Sequence, residues 1–120
     1  DVGIVLRDRE FDYVDPAIKL GEMVHGGDGR DYGVLICGSG HGVDMVANRF
    51  LRVRAIIGFN DEVTVQGREH EDANVLVLPV NWLTIEQAIE RLRLFFSTEA
   101  NSNERYVRRR MRMANMRVNL

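Results

Sequence analysis

The sequence has one cysteine, no long hydrophobic segment and no recognisable metal-binding motif. A single cysteine in 120 residues excludes an internal disulfide framework and a zinc site built from several cysteines. No apolar run approaches the roughly 18 residues that span a bilayer, so no membrane segment is predicted. No HxH, HExxH or carboxylate cluster with metal-ligand spacing occurs, so we expect no metal site. No signal peptide is visible and a free thiol suits a reducing compartment, which predicts a cytoplasmic protein.

The overall composition is that of an ordinary globular domain. Hydrophobic residues make up 45% of the chain and charged residues 28%, which argues against a disordered protein. A chain of 120 residues can bury a core but is too short for two domains, so a single domain is predicted.

Positive charge is concentrated near the end of the chain. Residues 101–120 contain six arginines and one acid, a net charge of +5, which leaves −7 on residues 1–100. Such a segment can bind nucleic acid, bind a small anion such as a phosphate ester, or form a solvated helix face that pairs with acids on a neighbour. The solvated face is the commonest of the three. Nucleic acid is disfavoured because Tyr106 is the only aromatic residue there that could stack on a base.

Short apolar runs alternate with helix-like segments along the chain. Strands are predicted over residues 2–6, 33–37, 53–59 and 74–78. Helices are predicted from Asp15 to about Gly26, after the glycine-rich residues 38–42, over residues 62–70, after Thr84 and from about Glu104. This alternation predicts an α/β fold with a mainly parallel sheet and helices on both faces.

Two of these helices carry specific signals. Asp15 followed by Pro16 is typical of a helix start, with Asp15 as the N-cap. Thr84 and Gln87 form a capping-box pattern ahead of a later helix. The predicted apolar face of that later helix contains Ile85, Ala88, Ile89, Leu92 and Phe95 or Phe96.

The glycine-rich segment GSGHG, residues 38–42, is the first place to look for a ligand site. It follows a predicted strand and opens a helix, and ligands of parallel sheets bind at the carboxyl ends of strands. Backbone N–H groups and the positive end of the helix dipole there favour an anion: a phosphate, a carboxylate or the enediolate of a sugar. The glycines alone fit a tight turn without a ligand about equally well.

Cys37, Ser39 and His70 are the candidate chemical groups. A lone cysteine is usually a small buried hydrophobe, but a thiol beside a helix N-terminus can become a thiolate and act as a base or nucleophile. Ser39 is either a hydroxyl donor to the same ligand or a turn residue. A lone histidine such as His70 is more often structural than catalytic.

Three stretches together resemble one known family. GVLICGSGHGVDMVANRF resembles GILICGTGIGMSIAANK of the ribose-5-phosphate isomerase B family, which includes the galactose-6-phosphate isomerase subunits. VRAIIGFNDEVTVQGREHEDANVLVL resembles that family's IRAALC…REHNDANVLAL, and NERYVRRRM is similar to its GGRHxxRV. The matches run from about residue 15 to residue 111, and their joint presence is far more specific than any one motif.

The resemblance implies a flavodoxin-like or Rossmann-like α/β sandwich that isomerises a phosphorylated aldose to a ketose without metal or cofactor. Cys37 matches the base that moves a proton between C1 and C2, and Ser39 matches a threonine beside the enediolate oxygens. The backbone of Gly38, Gly40 and Gly42 would form the anion hole. His70 matches the histidine that opens the sugar ring.

The resemblance also implies that Arg105 and Arg109 grip the phosphate, often across a subunit boundary. Two arginines four residues apart on a helix share one face, which suits a phosphate clamp. We therefore expect a homodimer or homotetramer in which the basic helix, residues 104–116, packs on a neighbouring subunit.

The chain departs from the family pattern at several positions. It has no Ser-Asp-His-Ala-Gly-like strand, and it is about 30 residues shorter than the family at its N-terminal side. Glu71 replaces an asparagine that contacts substrate, and Tyr106 replaces a histidine. Two functions therefore stand side by side: a sugar-phosphate isomerase, or a non-catalytic or subunit-type relative that binds a sugar phosphate or completes a partner's site.

Overall fold

The structure, a computed structural model, describes residues 12–116 of the chain. Helices alternate with parallel strands over this region, and a short 3-10 turn at Val80–Trp82 follows the last strand. In chain order the elements are α1 (Val14–Gly26), β1 (Gly33–Cys37), α2 (His41–Ala47), β2 (Ala55–Ile57), α3 (Asp61–Glu71), β3 (Val75–Pro79), α4 (Ile85–Ser97) and α5 (Glu104–Ala114). The strand predicted over residues 2–6 lies outside the described residues.

The three described strands form one parallel sheet in the order β1-β3-β2. β3 is central, with Gly33 of β1 and Ala55 of β2 both opposite Val75, and Cys37 opposite Pro79. All five residues of β3 are buried, as a continuous apolar run in a parallel sheet requires. The parallel sheet confirms the fold class predicted from the alternation of elements.

Side chains of β3 alternate between two cores. Val75 and Val77 pack toward α1 and α2, in a cluster that includes Ala17, Val43 and Ala47. Leu76 and Leu78 face the opposite side and pack with Phe95 of α4. Because successive side chains of a strand point to opposite faces, one buried strand serves both cores. The result is the predicted α/β, Rossmann-like sandwich, with helices on both faces of the sheet.

β2 is shorter than the predicted strand over residues 53–59. Side-chain amides take the place of strand pairing at its start. Just before β2, Asn74 Oδ1 accepts the Arg54 N–H at 2.7 Å. At the first residue of β2, Asn48 Oδ1 accepts the Ala55 N–H at 2.8 Å. Asn48 Nδ2 also donates to the Ala55 carbonyl at 3.0 Å, which ties the end of α2 to the sheet. The Arg54 and Ala55 N–H groups are thus satisfied by side chains rather than by ladder partners, so the regular strand begins only at Ala55.

The start of α1 differs from its prediction. The helix begins at Val14 with Tyr13 in the N-cap position and no side-chain cap, so the assignment of Asp15 as N-cap is wrong. Asp15 lies in the first turn, where a carboxylate still complements the helix dipole. Pro16 is tolerated there because first-turn N–H groups have no intrahelical partner. The predicted end near Gly26 is confirmed.

In α4 the capping box is confirmed but the predicted apolar face is wrong in part. Thr84 and Gln87 exchange the two expected hydrogen bonds, at 2.9 and 3.1 Å. Of the two alternatives at the end of this face, Phe95 is buried and Phe96 is exposed, whereas two other predicted members are exposed: Ile85 and Ile89.

The physical reason is a buried arginine on the inner face of α4. Arg91 is 6% exposed and donates to the Gln87 and Phe59 carbonyls, and its Nε lies 3.3 Å from the Asp61 carboxylate. With Arg91 and Phe95 both buried, the inner face of α4 points away from Ile85 and Ile89. The ion pair with Asp61 and the two carbonyl acceptors offset part of the cost of burying the charge, although Nε itself makes no hydrogen bond within the described residues.

Within residues 12–116, no helix combines the length and the apolar character that crossing a bilayer demands.

Phe95 and Phe96 form a matched pair for testing this packing. Phe95 is fully buried and Phe96 is 57% exposed, although the two are adjacent in sequence. We expect Phe95→Ala to lower the free energy of unfolding by about 3–5 kcal/mol, because it leaves a cavity in the α4 core. Phe96→Ala should cost less than half as much in the same urea titration. Equal losses would contradict the assignment of the buried face.

Candidate active site

The glycine-rich turn lies at the carboxyl edge of the sheet, between β1 and α2. Gly40 has a left-handed backbone, with φ of +84°, and a Cβ there would lie 2.9 Å from Val77 Cγ1. Glycine is therefore required by both conformation and space. The Ser39 hydroxyl accepts the His41 N–H at 3.3 Å, which closes the turn just before α2.

Two residues that the sequence did not single out frame this turn. A Cβ on Gly42 would lie 2.7 Å from Tyr13 Oη, so the Tyr13 ring packs directly against that glycine. The Asn81 N–H donates to the Gly38 carbonyl at 3.1 Å, and a Cβ on Gly38 would lie 3.0 Å from Asn81 Nδ2. Loops that follow neighbouring parallel strands meet at one edge, which is the signal that could have located Asn81.

Cys37 is the last residue of β1 and is partly buried. Its side chain packs against the α1 and α2 core, on the same side of the sheet as Tyr13. The structure therefore brings together five predicted site residues: Cys37, Gly38, Ser39, Gly40 and Gly42. We call these five residues, with Tyr13 and Asn81, the Cys37 turn.

An acidic group, Asp44, lies in the first turn of α2. Burial raises the pKa of its carboxyl, and a hydrogen bond from Asn48 at 3.3 Å and the charge of His41 act in the opposite direction. Asp44 was not singled out from the sequence. Its position close to the Cys37 turn places a further ionisable group at this edge of the sheet.

His70 lies at the other edge of the sheet. α3 runs back against the strands, so its last turn, which holds His70, comes next to the start of β3. The His70 ring stacks on the Tyr106 ring of α5, with centroids 4.7 Å apart and planes 10° from parallel. Glu71 is exposed at the end of α3.

The two predicted phosphate-binding arginines lie on α5, beside this stack. The Arg105 guanidinium sits 4.8 Å from the centre of the Tyr106 ring, and its Nη2 donates to Tyr106 Oη at 2.9 Å. Arg109 is exposed one turn further along α5, on the same face as Arg105. We call His70, Tyr106, Arg105 and Arg109 the His70 cluster.

A third arginine, Arg110, anchors α5 to α3. Its Nη1 donates to the carbonyls of Glu69 and His70 at 3.4 and 3.2 Å, and its Nη2 donates to the Asn101 carbonyl at 2.8 Å. The Asn101 N–H also donates to the Glu69 carbonyl at 2.8 Å. The last carbonyls of a helix lack intrahelical donors, and Arg110 and Asn101 supply them here. From the sequence alone, Arg110 could be identified only as one arginine of a basic run.

Within one chain the structure does not bring the Cys37 turn and the His70 cluster together. Cys37 lies opposite Pro79 at the end of β3, whereas His70 lies near the start of β3 at Val75. The four residue steps from Val75 to Pro79 span about 13 Å along the strand. The predicted site residues therefore form two separate groups.

Residues 12–116 contain no cluster of three or more histidine, cysteine, aspartate or glutamate side chains arranged to hold a metal ion.

The fold and the Cys37 turn define a class: a Rossmann-like α/β protein with a cysteine and a glycine-rich turn at the carboxyl edge of its sheet. The sequence matches the ribose/galactose isomerase family over residues 1–113. The chain therefore belongs to this family, as the three sequence stretches predicted.

Curated relatives are similar over most of this chain. The probable ribose-5-phosphate isomerase B of Mycoplasma genitalium is 34% identical over 90 residues, which cover 75% of this chain and 59% of that protein. Ribose-5-phosphate isomerase B of Escherichia coli is 35% identical over 77 residues, which cover 64% of this chain and 51% of that protein. The chain thus spans between half and three fifths of the length of these relatives.

Solved structures are similar over nearly the whole chain. Ribose-5-phosphate isomerase B of Mycoplasma genitalium with bound ribulose 5-phosphate has a TM-score of 0.87 and 31% identity, covering 95% of this chain and 74% of that one. The type B enzyme of Trypanosoma brucei has a TM-score of 0.86 and 31% identity, covering 94% and 74%.

Replacement of the anchoring arginine tests how α5 is held. We expect Arg110→Ala to lower the free energy of unfolding by about 2 kcal/mol, because it removes charge-assisted hydrogen bonds to α3 carbonyls. Amide hydrogen exchange in α5 should become faster. Arg30→Ala is the control, since the Arg30 side chain makes no hydrogen bond or ion pair within the described residues. Indistinguishable stabilities of the two variants would show that α5 is held by other contacts.

Proposed function

We propose that this protein interconverts a phosphorylated aldose and ketose, of the ribose 5-phosphate and ribulose 5-phosphate type, through an enediolate with Cys37 as the base. The observation that carries the proposal is the Cys37 turn: a partly buried thiol at a strand end, followed by a glycine turn into a helix. Membership of the isomerase family supports the same reaction class. The single free thiol fits a cytoplasmic enzyme.

The proposed reaction moves protons without any net oxidation. The Cys37 thiolate removes the proton from C2 of the open-chain aldose, the C–H electrons form a C1–C2 double bond, and negative charge collects on the oxygens. The thiol returns its proton to C1 while O2 becomes the carbonyl and its proton passes to O1. No co-reactant is needed because the atoms and the overall oxidation state of the sugar are unchanged.

The surroundings of Cys37 suit this intermediate. The first N–H groups of a helix have no intrahelical partner, and those that open α2 follow Gly40 directly. Fixed donors of this kind stabilise a developing oxyanion at little reorganisation cost. Ser39 places a hydroxyl in the same turn, where it would contact the enediolate oxygens.

His70 is proposed to open the sugar ring, and Arg105 and Arg109 to bind the phosphate. These residues lie at the opposite edge of the sheet from Cys37, so a second copy of the chain must supply them to the Cys37 turn. The protein is therefore proposed to act as a homodimer, alone or paired into a tetramer.

The outer face of α5 suits such an assembly. An open groove on this face is lined by both apolar and basic side chains: Val107, Arg108, Met111 and Arg112. Met111 is 58% exposed. No residue of α5 is buried within the described chain. The positive charge of residues 101–120 complements the −7 of residues 1–100 on a second copy.

One observation favours the alternative of a non-catalytic or subunit-type relative. Glu71 is exposed directly after His70, and a carboxylate there repels a phosphate or changes which hydroxyl of the sugar is bound, so a ligand can bind without being placed for turnover. In that case the chain binds a sugar phosphate or completes a partner's site without turnover of its own.

An assay with ribose 5-phosphate and a panel of other aldose and ketose phosphates tests the reaction. We expect the wild-type chain to isomerise at least one of them, and Cys37→Ala to lower kcat by about 100-fold or more, the usual contribution of a general base. Ile36→Ala, at the neighbouring exposed position of β1, should keep near-normal turnover. Full turnover by Cys37→Ala contradicts the role of the thiol. Binding of a sugar phosphate without turnover by the wild type supports the alternative.

A mixing experiment tests the shared site. Cys37→Ala and His70→Ala are each expected to be inactive. Random exchange of the two variants makes half of the dimers mixed, and each mixed dimer has one intact site if His70 acts across the interface, so about a quarter of wild-type activity should return. If Cys37 and His70 acted within one chain, every site would carry a defect and mixing would restore nothing.

A further inference from the structure

Tyr106 is the centre of the His70 cluster, and the proposed function assigns it no role. It lies between the two groups that are proposed to act on the substrate, contacting His70 with its ring and Arg105 with both its ring and its hydroxyl. We propose that Tyr106 is a positioning residue that holds the His70 imidazole and the Arg105 guanidinium as one preformed unit. This inference rests on the proposed function.

The stack on His70 restrains the imidazole without occupying its nitrogens. A separation of 4.7 Å between nearly parallel rings is typical of an offset aromatic stack, which fixes the plane of the imidazole. The hydrogen-bonding directions of an imidazole lie in its plane, at the edge of the stack. Within the described residues the ring nitrogens of His70 have no hydrogen-bond partner, and Arg110 binds the His70 carbonyl rather than its ring. The stack therefore orients His70 and leaves its ring nitrogens available.

The hydroxyl of Tyr106 restrains Arg105 in a different way. Arg105 is exposed and would otherwise sample many rotamers at a considerable entropic cost on binding. The 2.9 Å bond from Nη2 to Tyr106 Oη uses one of the five guanidinium donors. The remaining donors can still form a fork for a phosphate.

The position of the α5 backbone at Tyr106 is fixed by contacts other than those of the Tyr106 ring. Arg110 on the same helix binds the carbonyl of His70 at 3.2 Å, which sets the distance between α5 and the end of α3. Changes at position 106 therefore alter the ring and hydroxyl while Arg110 keeps the helix in place. This separation allows the two contacts of Tyr106 to be tested one at a time.

Two substitutions of Tyr106 distinguish the stack on His70 from the hydrogen bond to Arg105. Tyr106→Phe keeps the stack and removes the hydrogen bond to Arg105, so KM for ribose 5-phosphate should rise about fivefold, the effect of one hydrogen bond, with kcat nearly unchanged. Tyr106→Leu removes both contacts, so KM should rise and kcat should fall as well. Tyr32→Phe removes another tyrosine hydroxyl that binds an arginine, Arg68, and should leave both constants unchanged.

NMR of the substrate-free protein gives a readout that does not depend on activity. Stacked on an aromatic ring, the His70 ring protons should resonate upfield in the wild type and in Tyr106→Phe, and should move toward the random-coil position in Tyr106→Leu. Titration of the same samples with inorganic phosphate should show weaker binding for Tyr106→Phe than for the wild type.

The outcomes separate this inference from the proposed function. If the wild type lacks isomerase activity but the His70 shifts and the phosphate affinities behave as described, the positioning role of Tyr106 stands and the reaction assignment fails. If Tyr106→Phe binds phosphate as tightly as the wild type, or if Tyr106→Leu leaves the His70 resonances in place, the positioning role is overturned. Tyr106→Phe preserves the ring, so its result remains informative even if Tyr106→Leu folds poorly.

Discussion

The burial of β3 on both faces is the constraint on which the rest of the structure depends. Its five residues are inaccessible to solvent, pair with β1 on one side and β2 on the other, and send alternate side chains into the two cores. Parallel pairing on both sides makes the three strands end at one edge of the sheet. Each helix that links two of these strands must then return to the opposite edge, which fixes at which edge α2 and α3 begin and end.

This geometry separates the chemical groups of the chain. Cys37 is the last residue of β1, whereas His70 lies in the last turn of α3, just before β3 begins. The two residues therefore lie at opposite edges of the sheet, and closer packing of the helices would not change this. A Rossmann-like chain of this size cannot bring them together without changing its topology. The proposed association of two copies would place the thiol beside an imidazole and an arginine pair, and no residue of the basic helix α5 is buried within the described chain.

Polar side chains complete the fold where strands and helices end. Arg68 is 4% exposed and donates to the carbonyls of Ala73 and Thr98 and to the Asp72 carboxylate, with its guanidinium 5.1 Å from the centre of the Tyr32 ring. A buried charge is tolerated there because its donors are paired. Arg110 performs the same kind of task for the end of α3. Arg68 and Arg110, like Arg91, thus serve as donors to backbone carbonyls, a role that net charge does not reveal.

Structural features that are set by residues close together in the sequence could be predicted from it. The apolar run at residues 74–78 predicted a buried strand, Thr84 and Gln87 predicted a capping box, and GSGHG predicted a turn at a strand end beside Cys37. These features follow from local conformation, periodicity and burial, whose physical causes act within one element.

Other features were decided only by packing between elements. The inner face of α4 was set by the pairing of Arg91 with Asp61 and the Phe59 carbonyl, and the short β2 by two asparagine side chains from elsewhere in the chain. Tyr13, Asn81 and Arg110 reach their partners across gaps in sequence that no local pattern records. The sequence by itself determined the elements and the residue types of the candidate site; the tertiary structure decided which of those residues meet, because the direction of parallel strands places Cys37 at one edge of the sheet and His70 at the other.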